Sequence, residues 1–421
     1  MIKFIHVADI HLDSPLRGLD RYDGAPVDQI RGATRKALEN MVSLAIEEEV
    51  DFVVIAGDLF DGDWPDFNTG LFFVRQMVRL GEKGIRVFAV RGNHDAESKM
   101  SRKLPWPQNV HFFSSKKPES ITIDNLDVVI HGQSFANQKV TDDLALGYPA
   151  AVPGKINVGI LHTSLDGRPG HATYAPTRLE VLKSKGYDYW ALGHIHKREI
   201  VSNEPLVVFP GNTQGRHIKE TETKGCELVT LESGGLRTEH RPLDVLRWKV
   251  LDIEISGATD FDEVLERTAR SLDAAVEEAE DRLSAVRVRF IGRGVAHNTI
   301  ASKPETMRQQ VRARAIERGS GSVWVEKVIV ETSAAVDLAA LKARSDPVGE
   351  LLCQLESIKT GEAEPLGALA EELQALRQKL PAELTEEADG IRLGDPEYLR
   401  TLLADIEPQL IPRIMNLETG S

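Results

Sequence analysis

Cysteine is nearly absent: the 421-residue sequence has only Cys226 and Cys353, which lie far apart. Two distant cysteines form neither a disulfide framework nor the thiolate cluster of a structural zinc site. Long apolar runs are missing too, because no window approaches the roughly 18 apolar residues of a membrane helix. The first residues lack the apolar core of a secretory signal. We therefore expect a soluble protein of the cytoplasm with no membrane contact.

Basic residues are fewer than acidic ones, 51 against 65, and the net charge is −14. This balance argues against a nucleic-acid partner, because a phosphate backbone attracts basic surfaces. The charge is uneven, however. Residues 282–318 hold nine basic and two acidic side chains, whereas residues 333–421 hold eight basic and 17 acidic ones. The basic stretch is either an ordinary solvated face or a contact surface for phosphates, and both interpretations stay open.

The length suggests two or three domains. In residues 1–244, apolar runs alternate with amphipathic helices, which predicts an α/β core of two sheets with helices outside. Residues 245–332 predict a small α/β domain, and residues 333–421 predict an acidic helical region divided by prolines. In the small domain we expect strands at 248–255, 285–290 and 323–330 and helices at 261–283 and about 305–318.

Five short blocks of metal-ligand residues occur in the first half of the chain, each where an apolar run predicts the end of a β-strand. They are Asp9-Ile10-His11, Gly57-Asp58, Gly92-Asn93-His94-Asp95, His162 and Gly193-His194-Ile195-His196. Any one block alone could be a turn or a buried structural histidine. Because the carboxyl ends of strands meet in one crevice, five blocks in this order predict a metal site.

The residue types of these blocks indicate the chemistry. Carboxylate, amide and imidazole ligands without thiolate suit manganese, iron or zinc. Two ions about 3.5–4 Å apart need a shared ligand, and Asp58 is the candidate because a carboxylate has two oxygens. Such a pair would activate a bridging hydroxide to attack a phosphoester. His94 is predicted to be no ligand but to stabilise the reacting phosphorus or protonate the leaving group.

Several other polar residues allow two interpretations. His131 ends a strand and is either packed and hydrogen-bonded or catalytic. Asp61 and Asp95 either orient ligands or cap the helices that follow. His6 lies inside the first strand, and we assign it to the core.

The five blocks resemble those of the calcineurin-like metallophosphoesterase superfamily. Within it, residues 7–15, 56–61, 91–95 and 188–196 resemble the DNA double-strand-break repair nucleases of the SbcD and Mre type. Three further segments are similar to the YhaO-type branch: residues 130–135, 174–176 and 211–217. The motif match covers about residues 1–245, and beyond it only the layout of a small cap domain is similar.

The resemblance implies a two-sheet metallophosphoesterase sandwich flanked by helices, followed by a cap domain and a helical C-terminal tail. It also implies two divalent ions, most simply Mn²⁺, with His94 as the transition-state histidine. The first ion would take Asp9, His11, Asp58 and His196, and the second would take Asp58, Asn93, His162 and His194.

The activity implied by the resemblance is 3′-to-5′ DNA exonuclease action in DNA repair, with some endonuclease action. Candidate DNA contacts are Arg216, His217, Arg308, Arg312 and Arg314. For Arg216 and His217 a tight surface turn is the alternative. The resemblance also implies homodimers, and a coiled-coil ATPase of the SMC/SbcC type that docks on the C-terminal helices. Those helices could instead pack on their own chain.

Two other functions fit the same ligands. The first is a phosphatase or phosphodiesterase on a small phosphoester, because the metal blocks do not distinguish substrates. The second is an adaptor whose main role is to hold the partner ATPase.

Overall fold

The computed structural model describes residues 1–14, 26–62, 67–97, 104–167, 173–232, 235–319, 321–334, 341–360, 366, 370–380 and 391–403. They form two compact units. The first comprises Met1–Val250, Ala275–Val286 and Gly321–Glu326, and the second takes the rest. This division crosses the predicted boundary at 244/245, and the division into three domains stays a prediction.

The first unit contains two six-stranded sheets and helices α1 (Val27–Glu47), α2 (Asn68–Glu82), α3 (Asn93–Glu97) and α4 (Leu179–Ser184). Its strands are β1 (Ile2–Val7), β2 (Phe52–Ala56), β3 (Arg86–Val90), β4 (Val110–Phe112), β5 (Glu119–Ile123), β6 (Val128–Gly132), β7 (Ile156–His162), β8 (Tyr189–Gly193), β9 (Glu199–Asn203), β10 (Leu206–Phe209), β11 (Gly225–Glu232) and β12 (Gly235–Pro242). The sheet orders are β12-β11-β1-β2-β3-β4 and β5-β6-β7-β8-β10-β9.

Strand β2 shows how the sheets are packed. Alternate side chains of a strand point to opposite faces. Val53 and Ile55 lie in the cluster that includes residues of α1 and α2, whereas Phe52 and Val54 lie in the cluster between the two sheets. Both faces are covered, which explains the continuous apolar run. The predicted two-sheet sandwich with outer helices is confirmed.

A third sheet has the order β13-β14-β15, formed by Leu246–Glu254, Leu283–Gly294 and Val323–Ala334. Three helices accompany it: α5 (Phe261–Glu278), α6 (His297–Ser302) and α7 (Pro304–Ile316). Within the first unit, Trp248 and Trp324 of this sheet lie in one buried cluster with Ile30 of α1.

The predicted helix at 261–283 is too long. Helix α5 ends at Glu278, and Glu280 and Asp281 take positive φ angles of 53° and 67°. Two left-handed residues in succession end a helix, because L-residues avoid that conformation inside one. The chain then reverses, and Leu283, predicted as helical, begins β14.

The C-terminal region contains helices Pro347–Thr360 and Gln374–Arg377. Leu366, Leu393 and Leu399 are buried together there, which favours packing on the same chain. Residues 404–421 lie outside the described residues. Among the residues described, no helix combines the length and the apolar character needed to cross a bilayer.

Candidate metal centre

The ends of five strands bring the predicted ligands together. Strands β1, β2 and β3 are parallel neighbours in the first sheet, and β7 and β8 are parallel neighbours in the second. The residues that follow or end these strands are, in chain order, Asp9, His11, Asp58, Asn93, His162, His194 and His196. One crevice therefore receives side chains from the carboxyl ends of both sheets, as the spacing of the blocks predicts.

The backbone sets the direction of these ligands. The amide of Asp9 donates to the carbonyl of Gly57 over 3.0 Å, and the amide of His11 donates to the carbonyl of Asp58 over 3.0 Å. Asp9, His11 and Asp58 have φ angles of 51°, 44° and 52°, and His194 has 100°. Residues other than glycine rarely adopt positive φ, and such strain is typical of functional sites.

Two glycines of the blocks make room for the ligands. A Cβ at Gly92 would overlap the Asp58 carboxylate, and a Cβ at Gly57 would overlap the His162 ring. Gly57 also has a φ of 94°, which L side chains rarely adopt. The glycine in each block is therefore required for close approach of the backbone to a ligand.

The donor atoms include two groups that share no residue and that a third group, of His11, Asp58 and His94, connects. Asp9, His11 and His196 make one group, Asp58, His162 and His194 make another, and within each group the donor atoms lie within 4.8 Å of one another. The Nε2 atoms of His11 and His196 are 3.2 Å apart. This is about the separation of two nitrogens that both bind the same ion, each at about 2.1 Å.

Asp58 belongs to the second group and also reaches the first. Its Oδ2 is 3.9 Å from His11 Nε2 and 3.4 Å from His162 Nε2. On the same side, the Asn93 Oδ1 is 3.1 Å from His162 Nε2. The seven predicted residues are thus close enough to hold two ions with a shared carboxylate.

The outer nitrogens of two histidines have fixed partners. His162 Nδ1 lies 2.9 Å from the carbonyl oxygen of Ala56, and His196 Nδ1 lies 2.7 Å from Glu220 Oε1. Because both partners accept, each Nδ1 carries the proton and each Nε2 is directed into the crevice as a donor atom for a metal. This donor set fits divalent ions.

Comparison with known sequences shows the family of this chain. A family described as calcineurin-like phosphoesterase matches residues 2–198, and one described as metallophosphoesterase YhaO, middle domain, matches residues 248–333. The uncharacterized metallophosphoesterase YhaO of Bacillus subtilis (strain 168) is 34% identical over 315 residues, which cover 72% of this chain and 74% of that protein. The chain belongs to the YhaO-type family of calcineurin-like metallophosphoesterases. It is therefore a hydrolase of a family that uses divalent metal ions.

Two further proteins are similar over part of this metallophosphoesterase. The DNA double-strand break repair protein Mre11 of Methanopyrus kandleri is 25% identical over 299 residues, which cover 64% of this chain and 63% of that protein. A crystal structure of a dimetal phosphatase from Danio rerio has a TM-score of 0.35 and 12% identity, and covers 57% of this chain and 96% of its own.

His94 of the metallophosphoesterase is held at the edge of the crevice. Its Nδ1 is 2.9 Å from Asp61 Oδ1, and its side chain is 37% exposed. Burial opposes protonation of the ring, but the hydrogen bond to Asp61 and the charges of Asp58 and Asp61 together outweigh burial and raise the pKa of His94 above its usual value. Asp61 thus orients His94, although His94, His11 and Asp58 are also close enough to share an ion.

Charges inside the crevice stabilise one another. Burial disfavours an ionised Asp58, yet the imidazoles of His162 and His11 outweigh burial and hold the pKa of Asp58 below its usual value. Burial also opposes protonation of His162, but Asp58 raises the pKa of His162 to about 9. Without metal, the crevice therefore contains a buried carboxylate–imidazolium pair.

Asp95 supports the crevice from behind. Its carboxylate accepts from the amides of Leu59, Phe60 and Gly92 over 3.0–3.1 Å. Burial, with the Asp58 charge, raises the pKa of Asp95 to about 6 despite these bonds. Asp95 therefore ties the second and third ligand blocks together, which is more than a helix cap.

The candidate DNA contacts lie in different places. Arg216 is at the crevice: its guanidinium is 3.5 Å from Asp61 Oδ2 and 3.4 Å from His196 Nδ1. The neighbouring His217 is 55% exposed. Arg308, Arg312 and Arg314 lie on α7 in the second unit.

Two residues show the limits of the sequence patterns. His131 Nε2 lies 3.1 Å from Asn157 Oδ1, its Nδ1 lies 2.8 Å from Ser120 Oγ, and its ring stacks on Tyr187. These contacts favour the packed, hydrogen-bonded interpretation of His131. Glu220, which holds His196, was not among the predicted site residues, because it belongs to no ligand block and no periodic pattern marks it.

Proposed function

We propose that this metallophosphoesterase is a two-metal DNA exonuclease of DNA repair that degrades strands from the 3′ end. The observation that carries the two-metal chemistry is the closeness of the Asp58 carboxylate to a histidine of each group of donor atoms. The similarity to a relative described as a DNA double-strand break repair protein supports DNA as the substrate. The mixture of carboxylate, amide and imidazole donors suits Mn²⁺.

In this proposal one ion is held by Asp9, His11, Asp58 and His196, and the other by Asp58, Asn93, His162 and His194. When bound, such ions neutralise phosphate charge and lower the pKa of a water between them.

The chain's own residues do the rest of the chemistry. Asp61 accepts the Nδ1 proton of His94 and so keeps its ring in one orientation, with Nε2 available for a proton at the leaving oxygen. Arg216 supplies a fixed positive charge beside the crevice, where a phosphate oxygen would lie. The hydrogen-bonded loops hold the ligands before substrate arrives.

The test is a parallel assay of the purified protein with Mn²⁺ on end-labelled linear duplex DNA and on a chromogenic bis-phosphodiester. We expect wild-type protein to shorten the DNA from the 3′ end. The variant Asp58→Asn should lose at least about a hundredfold of this activity, because one removed interaction in a metal site costs several kcal/mol of transition-state stabilisation.

The matched control is Asp127→Asn, which changes an exposed carboxylate that pairs with Lys155. It should cleave DNA like the wild type. Full activity in Asp58→Asn would contradict the two-metal assignment. Cleavage of the small ester with intact DNA would replace the proposed substrate with a small phosphoester.

A further inference from the structure

Glu220 is a buried carboxylate whose two oxygens are both occupied. It lies in the loop after β10 and is 7% exposed. Its Oε1 is 2.7 Å from His196 Nδ1, and its Oε2 accepts from Asn212 Nδ2 over 2.9 Å and from the Arg216 amide over 2.7 Å. The orientation of this carboxylate is therefore set before any ion binds.

The hydrogen bond that His196 donates to Glu220 sets the orientation of the His196 ring in the crevice. With its proton on Nδ1, His196 directs Nε2 toward His11 Nε2, 3.2 Å away. A carboxylate acceptor also makes an imidazole a stronger donor to a metal. The backbone of His196 is held as well, because the Lys224 ammonium donates to its carbonyl over 2.8 Å.

His162, in the other group of donor atoms, has a different kind of hydrogen-bond partner. His162 donates its Nδ1 proton to the carbonyl oxygen of Ala56, which is neutral. One histidine of each group thus has a different kind of acceptor: a carboxylate accepts from His196, and a neutral peptide carbonyl accepts from His162.

We infer that Glu220 is a positioning residue that selectively strengthens ion binding by Asp9, His11 and His196, and leaves binding by Asp58, His162 and His194 largely unchanged. This inference rests on the proposed ligand assignment. It makes the two ion positions unequal through a residue that touches neither ion.

The experiment is a calorimetric titration of metal-free protein with Mn²⁺. Wild-type protein should bind two ions. The variant Glu220→Gln should bind one ion with wild-type affinity and the other 10–100-fold more weakly, which is the usual loss on removing such a partner. The matched control is Glu222→Gln in the same loop, where the carboxylate is 51% exposed and pairs with Lys197 at 3.2 Å. It should bind both ions like the wild type.

The unfolding midpoint of each variant is measured in chelator, so that a folding defect is recognised. If Glu220→Gln does not fold, Glu220→Asp keeps a carboxylate with a shorter reach and should show the same selective loss. Unchanged affinity at both positions, or an equal loss at both, overturns the inference. A wild-type protein that binds fewer than two ions contradicts the ligand assignment itself, so the two failures are distinguishable.

Discussion

His94 differs from the histidines predicted as ligands in what its two ring nitrogens face. The His94 ring is partly exposed, and its Nδ1 is hydrogen-bonded to Asp61. The rings of His162 and His11 are fully buried, and their Nε2 atoms face other donor atoms. A proton donor needs access to substrate and a fixed orientation, and a ligand needs a lone pair among other donors. The surroundings of His94 therefore favour acid catalysis over metal binding.

The variant His94→Ala should lose about 10²–10⁴-fold in turnover, the usual contribution of a positioned acid. Its Mn²⁺ stoichiometry and affinity, measured by calorimetry, should stay at wild-type values. His111→Ala is a suitable control, because His111 is 36% exposed and pairs with Glu119 on β5. Loss of one bound ion in His94→Ala would show that His94 is a ligand.

The sequence was sufficient for the residues that follow strands and insufficient for those that support them. Asp58 follows an apolar run with only Gly57 between them, so its place at a strand end followed from local pattern. Glu220 reaches His196 from 24 residues away through a loop, and no periodicity records such a contact. The ion pair of Arg216 with Asp61 depends on the same loop.

At the scale of elements, β1 is one of the strands that join the two sheets through a polar contact. His6, on β1, lies between the sheets: its Nδ1 is 2.9 Å from Tyr189 Oη, and its Nε2 donates to the Leu192 carbonyl over 3.1 Å. Burial lowers the pKa of His6 to about 4, although the Glu227 charge partly opposes this. The folded protein therefore holds a neutral histidine at the junction.

This arrangement makes stability depend on pH. In the unfolded chain the His6 pKa is about 6.5, so between pH 6.5 and 4 the unfolded state binds more protons than the folded state. The contribution is complete above pH 6.5 and is lost as the pH falls toward 4. At pH 5 the loss should be about 2 kcal/mol relative to pH 7.5.

Urea unfolding of wild-type protein and of His6→Gln at the two pH values measures this contribution. The wild type should lose about 2 kcal/mol more than the variant. Chelator is present throughout, so that release of metal ions does not contribute. Equal losses in the two proteins would contradict the role of His6.

Which elements could be predicted depended on burial. Strand β2 is buried on both faces and β10 along its whole length, and each is a continuous apolar run in the sequence. In strands β5 and β12 exposed residues are mixed with partly buried ones, and their polar residues interrupt any apolar run. Each forms a hairpin with the next or the preceding strand, β6 or β11, so its strand structure depends on cross-strand pairing and not on an apolar run of its own.

At the scale of the whole molecule, the negative net charge is the main argument against DNA binding. The basic residues at 282–318 offset this charge only locally. The net charge is −14, and two arginines of α7 are already paired, Arg308 with Glu305 and Arg314 with Glu317. Exposed ion pairs are worth about 0–1 kcal/mol, so a phosphate backbone can replace the glutamates. Binding of DNA, a partner ATPase and a second copy of the chain all stay predictions.

Reversal of Arg308, Arg312 and Arg314 to Glu should weaken DNA binding and reduce the slope of log K against log salt by about 2–3 for duplex DNA. Fluorescence anisotropy between 50 and about 200 mM salt measures both. The control reverses Lys83, Lys116 and Lys117, exposed residues of the first unit, and changes the net charge equally. An equal effect in both proteins would show that the α7 arginines are ordinary solvated residues with no specific role in DNA binding.

The metal crevice receives its side chains from both sheets of the first unit, three strands of one and two of the other. Ions held there would fasten one half of the sandwich to the other. Because a ligand that binds only the folded state adds to its stability, resistance to unfolding would follow the supply of divalent ion. Scarcity of that ion in the cell would then reduce the catalytic rate of each protein molecule. It would also reduce the amount of the protein, because the less stable protein is degraded.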